Sequence, residues 1–469
     1  MKKKFYITTA IDYINDVIHV GHAYQKVAAD IIARYHRLLG ENVFLLMGTD
    51  EHGGKAEEAA KEKKLTPKEF ADQISLQDKK ELASLNVFPD RFIRTTDPDH
   101  LKTVANFWQK VFQNGDIYLA DFEGQYCRGC EEFKTESELV DGHCPYHPKL
   151  ELEKVKEKNY FFRWSRYQSF LEDYIKNHPS FIKPESRRKE MLAFLKRGLK
   201  DISISRQNIS WGIPVPGDPQ QTIYVWFDAL INYLTGAPKG FWPADLHLLG
   251  KDNTRWHALL WPAMLKSAGY ALPKTIYAHG FLSFGGEKIS KSRGNIIRPH
   301  ELSQEFTADG ARYLLIAGKS MAEDSDISWS KMRQTYNSDL ANGLGNLVSR
   351  LRRLCQLAGL SGEEKELPFS QVVSDDYRQA MENFQLAEVL RFIWLDISRI
   401  DRFLNQEKPW QKKGEQQKEI LHRAVKETLR VAVLLAPFMP EASKKIRESF
   451  QGSIVAGAPL FLRKKDEQE

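Results

Sequence analysis

A chain of 469 residues, 42% hydrophobic and 28% charged, fits a soluble globular protein and is long enough for two or three domains. Its 68 basic and 62 acidic residues leave a net charge of +6, compatible with a nucleic-acid partner without locating a basic face. No apolar run approaches the roughly 20 residues of a membrane span, and four cysteines do not make a disulfide framework.

The start, Met1-Lys2-Lys3-Lys4, lacks the apolar stretch of a secretory signal, so the expected compartment is the cytoplasm. Phe5 to Ile11 reads as a strand, and His19-Val20-Gly21-His22 opens a stretch of helical period. Ala23, Val27, Ile31, Tyr35 and Leu38 mark that period, with Gly40 as its stop. His19 and His22 thus fall at a strand-to-helix junction, where free amides and the helix dipole favour phosphate. The imidazoles can donate to phosphate oxygens, and Gly21 leaves room for a close approach. Asn42 to Gly48 reads as a buried strand ending at Thr49-Asp50.

From about residue 116 to 200 the alternation is interrupted. Cys127, Cys130, Cys144 and His147 give C-x2-C, thirteen residues, then C-x2-H. Two such knuckles suit tetrahedral zinc in a closed, structural site. His143 is a competing ligand with poorer spacing, and Cys355 reads as a core residue. The strand pattern resumes with Thr222 to Trp226 and His247 to Gly250. Lys288-Ile289-Ser290-Lys291-Ser292 lies in a Gly- and Ser-rich loop, and its two lysines are mobile point charges suited to a triphosphate. Beyond residue 300 the pattern is helical, as at Leu421, Val425, Leu429 and Val433.

The segments HVGH and KISKS resemble the HIGH and KMSKS signatures of class I aminoacyl-tRNA synthetases. Their surroundings resemble the methionyl family in particular. The resemblance rests on Thr8-Thr9-Ala10-Ile11 with Tyr13-Ile14-Asn15, on Gly48 to Gly53, on Tyr224 to Ala229, and on Gly250-Lys251-Asp252 followed by His257 and Trp261-Pro262-Ala263. It runs from about residue 4 to 450 and implies an α/β fold: a Rossmann-type nucleotide-binding domain (first half 1–115, second half with the lysine loop 201–330), a zinc-containing connective insertion (116–200), and an all-α anticodon-binding bundle (331–469). The insertion is too short for the editing domain of the leucyl, isoleucyl and valyl relatives.

What the resemblance implies is ATP-dependent activation of L-methionine and its transfer to tRNA(Met). His19, His22, Lys288 and Lys291 act on the phosphates. Gly21, Asp252, Ser290 and Ser292 hold ATP, with Mg2+ accompanying it. Ala10, Ile11, Tyr13, Asp50, Trp226, Ala229, Leu230, Tyr233 and His257 form the methionine pocket, in which Tyr13 and His257 can donate to sulfur. Arg206 is carried over with Asp50. Asn346, Arg350, Pro409 and Trp410 match the anticodon contacts. A monomer is expected, because no dimerising module follows the bundle. Three positions depart from the pattern: Ile289 replaces a methionine, Asn253 an aliphatic residue, and Asp12 stands where proline or tyrosine is common. Alternatives are another class I synthetase, such as the cysteinyl enzyme, or a non-catalytic tRNA-binding relative.

Overall fold

The computed structural model describes residues 2–129, 132–134, 139–145, 147–289, 296–362 and 367–465, and the side chains at 122, 132, 133, 155 and 288 also lie outside the described set. The chain begins with strand β1 (Lys4–Thr9), helix α1 (Val20–Leu38) and strand β2 (Asn42–Asp50). Helices α2 (Gly54–Glu62) and α3 (Pro67–Ser84), strand β3 (Arg91–Arg94) and helix α4 (Pro98–Gln113) follow. β4 (Ile117–Cys127) and β5 (Glu153–Phe162) pair antiparallel from Ile117↔Phe162 to Tyr126↔Glu153. They form a long hairpin that carries the cysteine-rich segment at its tip.

The chain then returns to the first sheet with β6 (Ile182–Lys183), inside the 116–200 span expected for the insertion. After the short helix α5 (Val225–Ala229) come β7 (Leu246–Gly250) and β8 (Ile276–His279). Among the described residues the central sheet is parallel, in the order β3-β2-β1-β7-β8-β6, with Asp12–Tyr13 added alongside β2. Buried on both faces, its strands are near-continuous apolar runs. Tyr6 and Ile7 are both fully buried yet belong to different cores, as alternation along a strand requires. α1 ends where expected, with Gly40 at φ +83° beyond it.

One expectation fails. Thr222 to Trp226 does not rejoin this sheet. Asp218–Ile223 is the middle strand of a small antiparallel sheet with Ser205–Arg206 and Pro214–Val215, and Val225 already lies in α5. A five-residue apolar run does not by itself distinguish a strand from a buried helix.

Helices α6 (Pro299–Ile316), α7 (Asn346–Leu357), α8 (Leu386–Glu407), α9 (Gly414–Leu435) and α10 (Pro440–Ser449) build the C-terminal part. Its apolar core is continuous with the α1 face of the sheet. Arg312 of α6 is fully buried at the join. It pairs with Asp30 of α1 at 2.7 Å and donates to the carbonyls of Pro437 and Phe438 at 2.9 and 2.8 Å.

Candidate functional site

Open parallel sheets bind ligands at the carboxyl ends of their strands, and here that edge is formed by Thr9, Asp50, Gly250 and His279. His19 is the N-cap of α1. Its Nδ1 accepts from the Gly21 amide at 3.0 Å, and His22 Nδ1 accepts from the His19 amide at 3.2 Å. With both Nδ1 atoms acting as acceptors, the neutral rings carry their protons on Nε2 and can donate outward. The rings lie 4.1 Å apart. Burial first, then neighbouring positive groups including Arg298, lowers both pKa values to about 3. Gly21 is needed for His19 itself: a Cβ there would lie 2.9 Å from His19 Cε1.

The chain just beyond the second signature meets the same helix start. The Val20 amide donates to the Ile297 carbonyl at 2.8 Å. The Arg298 guanidinium donates to the carbonyls of Val17 and Ile18 and pairs with Asp16 at 2.9 Å. Ile289 is buried in the α1 core, which agrees with a volume-conserving replacement. Lys288 contributes backbone pairing to Ser283, while its side chain and all of Ser290, Lys291 and Ser292 lie outside the described residues. Asp252 sits in a turn after β7. Its carboxylate lies so close to Gly250 that a Cβ there would come within 2.8 Å.

Among the residues expected to hold methionine, Trp226, Tyr233 and His257 lie together, as do Tyr13 and Asp50. Ala10 follows β1, and Tyr13 pairs in register with Asp50. Trp226 stacks on Trp256 with centroids 5.0 Å apart, and its edge meets His257 at 6.2 Å. Ala229, Leu230 and Tyr233 are buried behind it. The donor role expected of His257 does not hold. Its Nδ1 donates to the Asn253 carbonyl at 2.9 Å and its Nε2 accepts from the Tyr233 hydroxyl at 2.7 Å, with burial lowering its pKa to about 4. A neutral ring so engaged has no proton left for sulfur. Arg206 is buried, donates to the Ser205 carbonyl at 2.7 Å and lies 4.3 Å from the Tyr224 ring.

Some site residues carried no expectation. Asp228 is fully buried between His52 and His100, at 2.6 and 2.7 Å, and so ties the end of β2 and α4 to the helix bearing Trp226. The two histidines hold its carboxyl below the usual range against the opposing effect of burial. Trp256 was signalled only by its place beside His257, and Arg298 by a lone basic residue beyond the lysine loop.

At the hairpin tip, ligand atoms of Cys127, Cys144 and His147 lie within 4.8 Å of one another, and both cysteines are fully buried. A Cβ on Gly129 would fall 2.4 Å from the His147 ring, so the glycine cradles that ligand. This donor set fits a soft divalent metal. Cys130, the expected fourth ligand, lies outside the described residues. His143 is exposed and turned to the Asp141 carbonyl, so it is not in the group.

In the helical part, Arg350 of α7 reaches Asp401 at 2.7 Å and Asn405 at 3.1 Å on α8. Asn346 is exposed at the start of α7. Just past α8, Lys408 adopts φ +47°, Pro409 is buried, and Trp410 is 46% exposed.

The family model described as tRNA synthetases class I (M) matches residues 5–154 and 148–352. The methionine–tRNA ligase of Thermotoga maritima is 41% identical, over 98% of this chain and 80% of that protein. That of Thermosynechococcus vestitus is 41% identical, over 95% of this chain and 90% of its own. A solved structure of Mycobacterium tuberculosis methionyl-tRNA synthetase in complex with methionyl-adenylate aligns with a TM-score of 0.91 at 36% identity, over 98% of this chain and 100% of that one. With this likeness along nearly its whole length, the chain belongs to the methionine–tRNA ligase family of class I tRNA synthetases.

Proposed function

We propose that this protein activates L-methionine with ATP to form methionyl-adenylate and then charges tRNA(Met). The observation that carries the reading is the HVGH segment at the N-terminus of α1, with Ile297 and Arg298, from beyond the lysine loop, bonded to the start of that helix. There His19 and His22 offer Nε2–H donors to phosphate oxygens. The methionine carboxylate attacks the α-phosphate and pyrophosphate departs. Positioning and charge stabilisation supply the acceleration. Lys288 and Lys291 neutralise the leaving pyrophosphate, with Mg2+ accompanying ATP, while Gly21, Asp252, Ser290 and Ser292 hold the nucleotide. The stacked Trp226–Trp256 pair favours a thioether among aromatic walls. Amino-acid-dependent pyrophosphate exchange tests the reading: methionine alone of the twenty amino acids should support it.

The reading extends to the rest of the molecule. Cys127, Cys130, Cys144 and His147 would hold one zinc ion, which when bound cross-links the hairpin tip and takes no part in the reaction. The exposed Trp410 indole stacks on an anticodon base, Asn346 and Arg350 read base edges, and Pro409 fixes the approach of the indole. A monomer working in the cytoplasm completes the reading. No described helix is long and apolar enough to cross a membrane.

A further inference from the structure

Lys26 lies on α1 one helical turn after His22, and it is fully buried. Its ammonium donates to the Ala10 carbonyl at 2.6 Å, the Thr9 hydroxyl at 2.9 Å and the Gln25 side chain at 3.1 Å. It also pairs with Asp12 at 2.9 Å. Asp12 is the residue that departs from the family pattern in front of the HVGH segment, so the departure has a partner inside the fold.

Three of the four groups around Lys26 come from one place. Thr9, Ala10 and Asp12 belong to one short turn, between the last residue of β1 and the bridge to Thr49–Asp50. Its ends are fixed by backbone bonds, Ala10 amide to Leu248 carbonyl at 3.0 Å and the Asp12↔Thr49 register. Its middle is fixed by one side chain from the helix that bears the histidines. A cation buried this deeply is strongly destabilising unless an anion and hydrogen-bond acceptors meet it. Here both do.

We propose that the Lys26–Asp12 ion pair is a positioning pair for amino-acid activation, clamping the Thr9–Asp12 turn against α1 so that the substrate carboxylate and the phosphate-binding histidines keep a fixed separation. The inference rests on the assignment of Ala10 and Ile11 to the amino-acid pocket. The pair touches no reacting atom. It acts through the turn, and because attack requires near-contact geometry, loosening the turn lowers the rate steeply. Removing one partner leaves a buried charge uncompensated, whereas removing both charges together leaves none.

The test is a double-mutant cycle with Asp12→Asn, Lys26→Gln and the pair combined, read by pyrophosphate exchange with methionine and ATP varied separately. Asp12→Asn keeps the side-chain shape and is the variant expected to fold normally, as thermal melting will show. Each single change should lower kcat/KM for methionine at least tenfold while KM for ATP stays within twofold, and the combined variant should recover to within about fivefold of the wild type. A folded Asp12→Asn protein with unchanged kcat/KM for methionine overturns the proposal. So does a combined variant no better than the worse single one. If the wild type exchanges with a different amino acid, the methionine reading fails, and the cycle is then read on that amino acid.

Discussion

The two signature histidines illustrate how backbone geometry sets side-chain chemistry. Each Nδ1 is occupied by an amide of the first turn of α1, so each proton is confined to Nε2. Burial and nearby positive charge hold both pKa values near 3, well below the usual histidine value of about 6.5. A lowered value means that the folded state prefers the neutral ring. Its contribution to stability is complete above about pH 6.5 and is lost as pH falls toward 3. In 13C-histidine-labelled protein, resonances assigned by His19→Gln and His22→Gln should therefore not titrate between pH 5 and 8. A midpoint at pH 6 to 7 for either ring would contradict the tautomer argument. The histidines themselves were legible in the sequence because their spacing marks a helix start. The role of His257 was not, because a residue's type does not reveal which neighbours occupy its ring nitrogens. Asp228 was equally hidden: His52 and His100 come from separate segments, and only the fold brings them together.

Among the elements, β1, β2, β7 and α1 were readable from apolar runs and helical period, whereas β3, β6 and β8, at two to four residues each, are too short to show a repeat. The segment Tyr224 to Trp226 was not readable either, since its apolar run is short and α5 is only one turn long. The β4–β5 hairpin was marked by cysteine spacing rather than by strand pattern. Ligand atoms of Cys127, Cys144 and His147 lie together at its tip. Metal coordination contributes folding energy where apolar burial is scarce. Chelation should release one metal ion per chain, increase proteolysis between residues 128 and 152, and reduce adenylate formation only in part. Purified protein that contains no metal, resists proteolysis there and is fully active would remove the structural-metal assignment.

Across the whole molecule, the sheet and the helical part share one core, and Arg312 bridges α1 to the segment between α9 and α10. Activation and tRNA selection are nonetheless assigned to different surfaces. Trp410, exposed beyond α8, lies in the helical part and not at the carboxyl edge of the sheet. Stacking of a base on an aromatic ring is worth roughly 1–3 kcal/mol. Trp410→Ala should accordingly cut aminoacylation of tRNA(Met) about tenfold to a hundredfold and leave tRNA-independent exchange near normal. A parallel fall in both assays would make Trp410 a packing residue.

One site, formed at the HVGH start of α1 and completed by Lys288 and Lys291, is proposed to activate methionine. This activity is tested most directly by methionine-dependent pyrophosphate exchange without tRNA, with wild type and Lys291→Ala compared under the same conditions. Exchange should occur with methionine alone among the amino acids. The variant should lose up to ~3 kcal/mol of transition-state stabilisation, about a hundredfold in rate, as for a lost oxyanion donor, with KM for methionine unchanged. Exchange driven by another amino acid, or a variant as fast as the wild type, would contradict it.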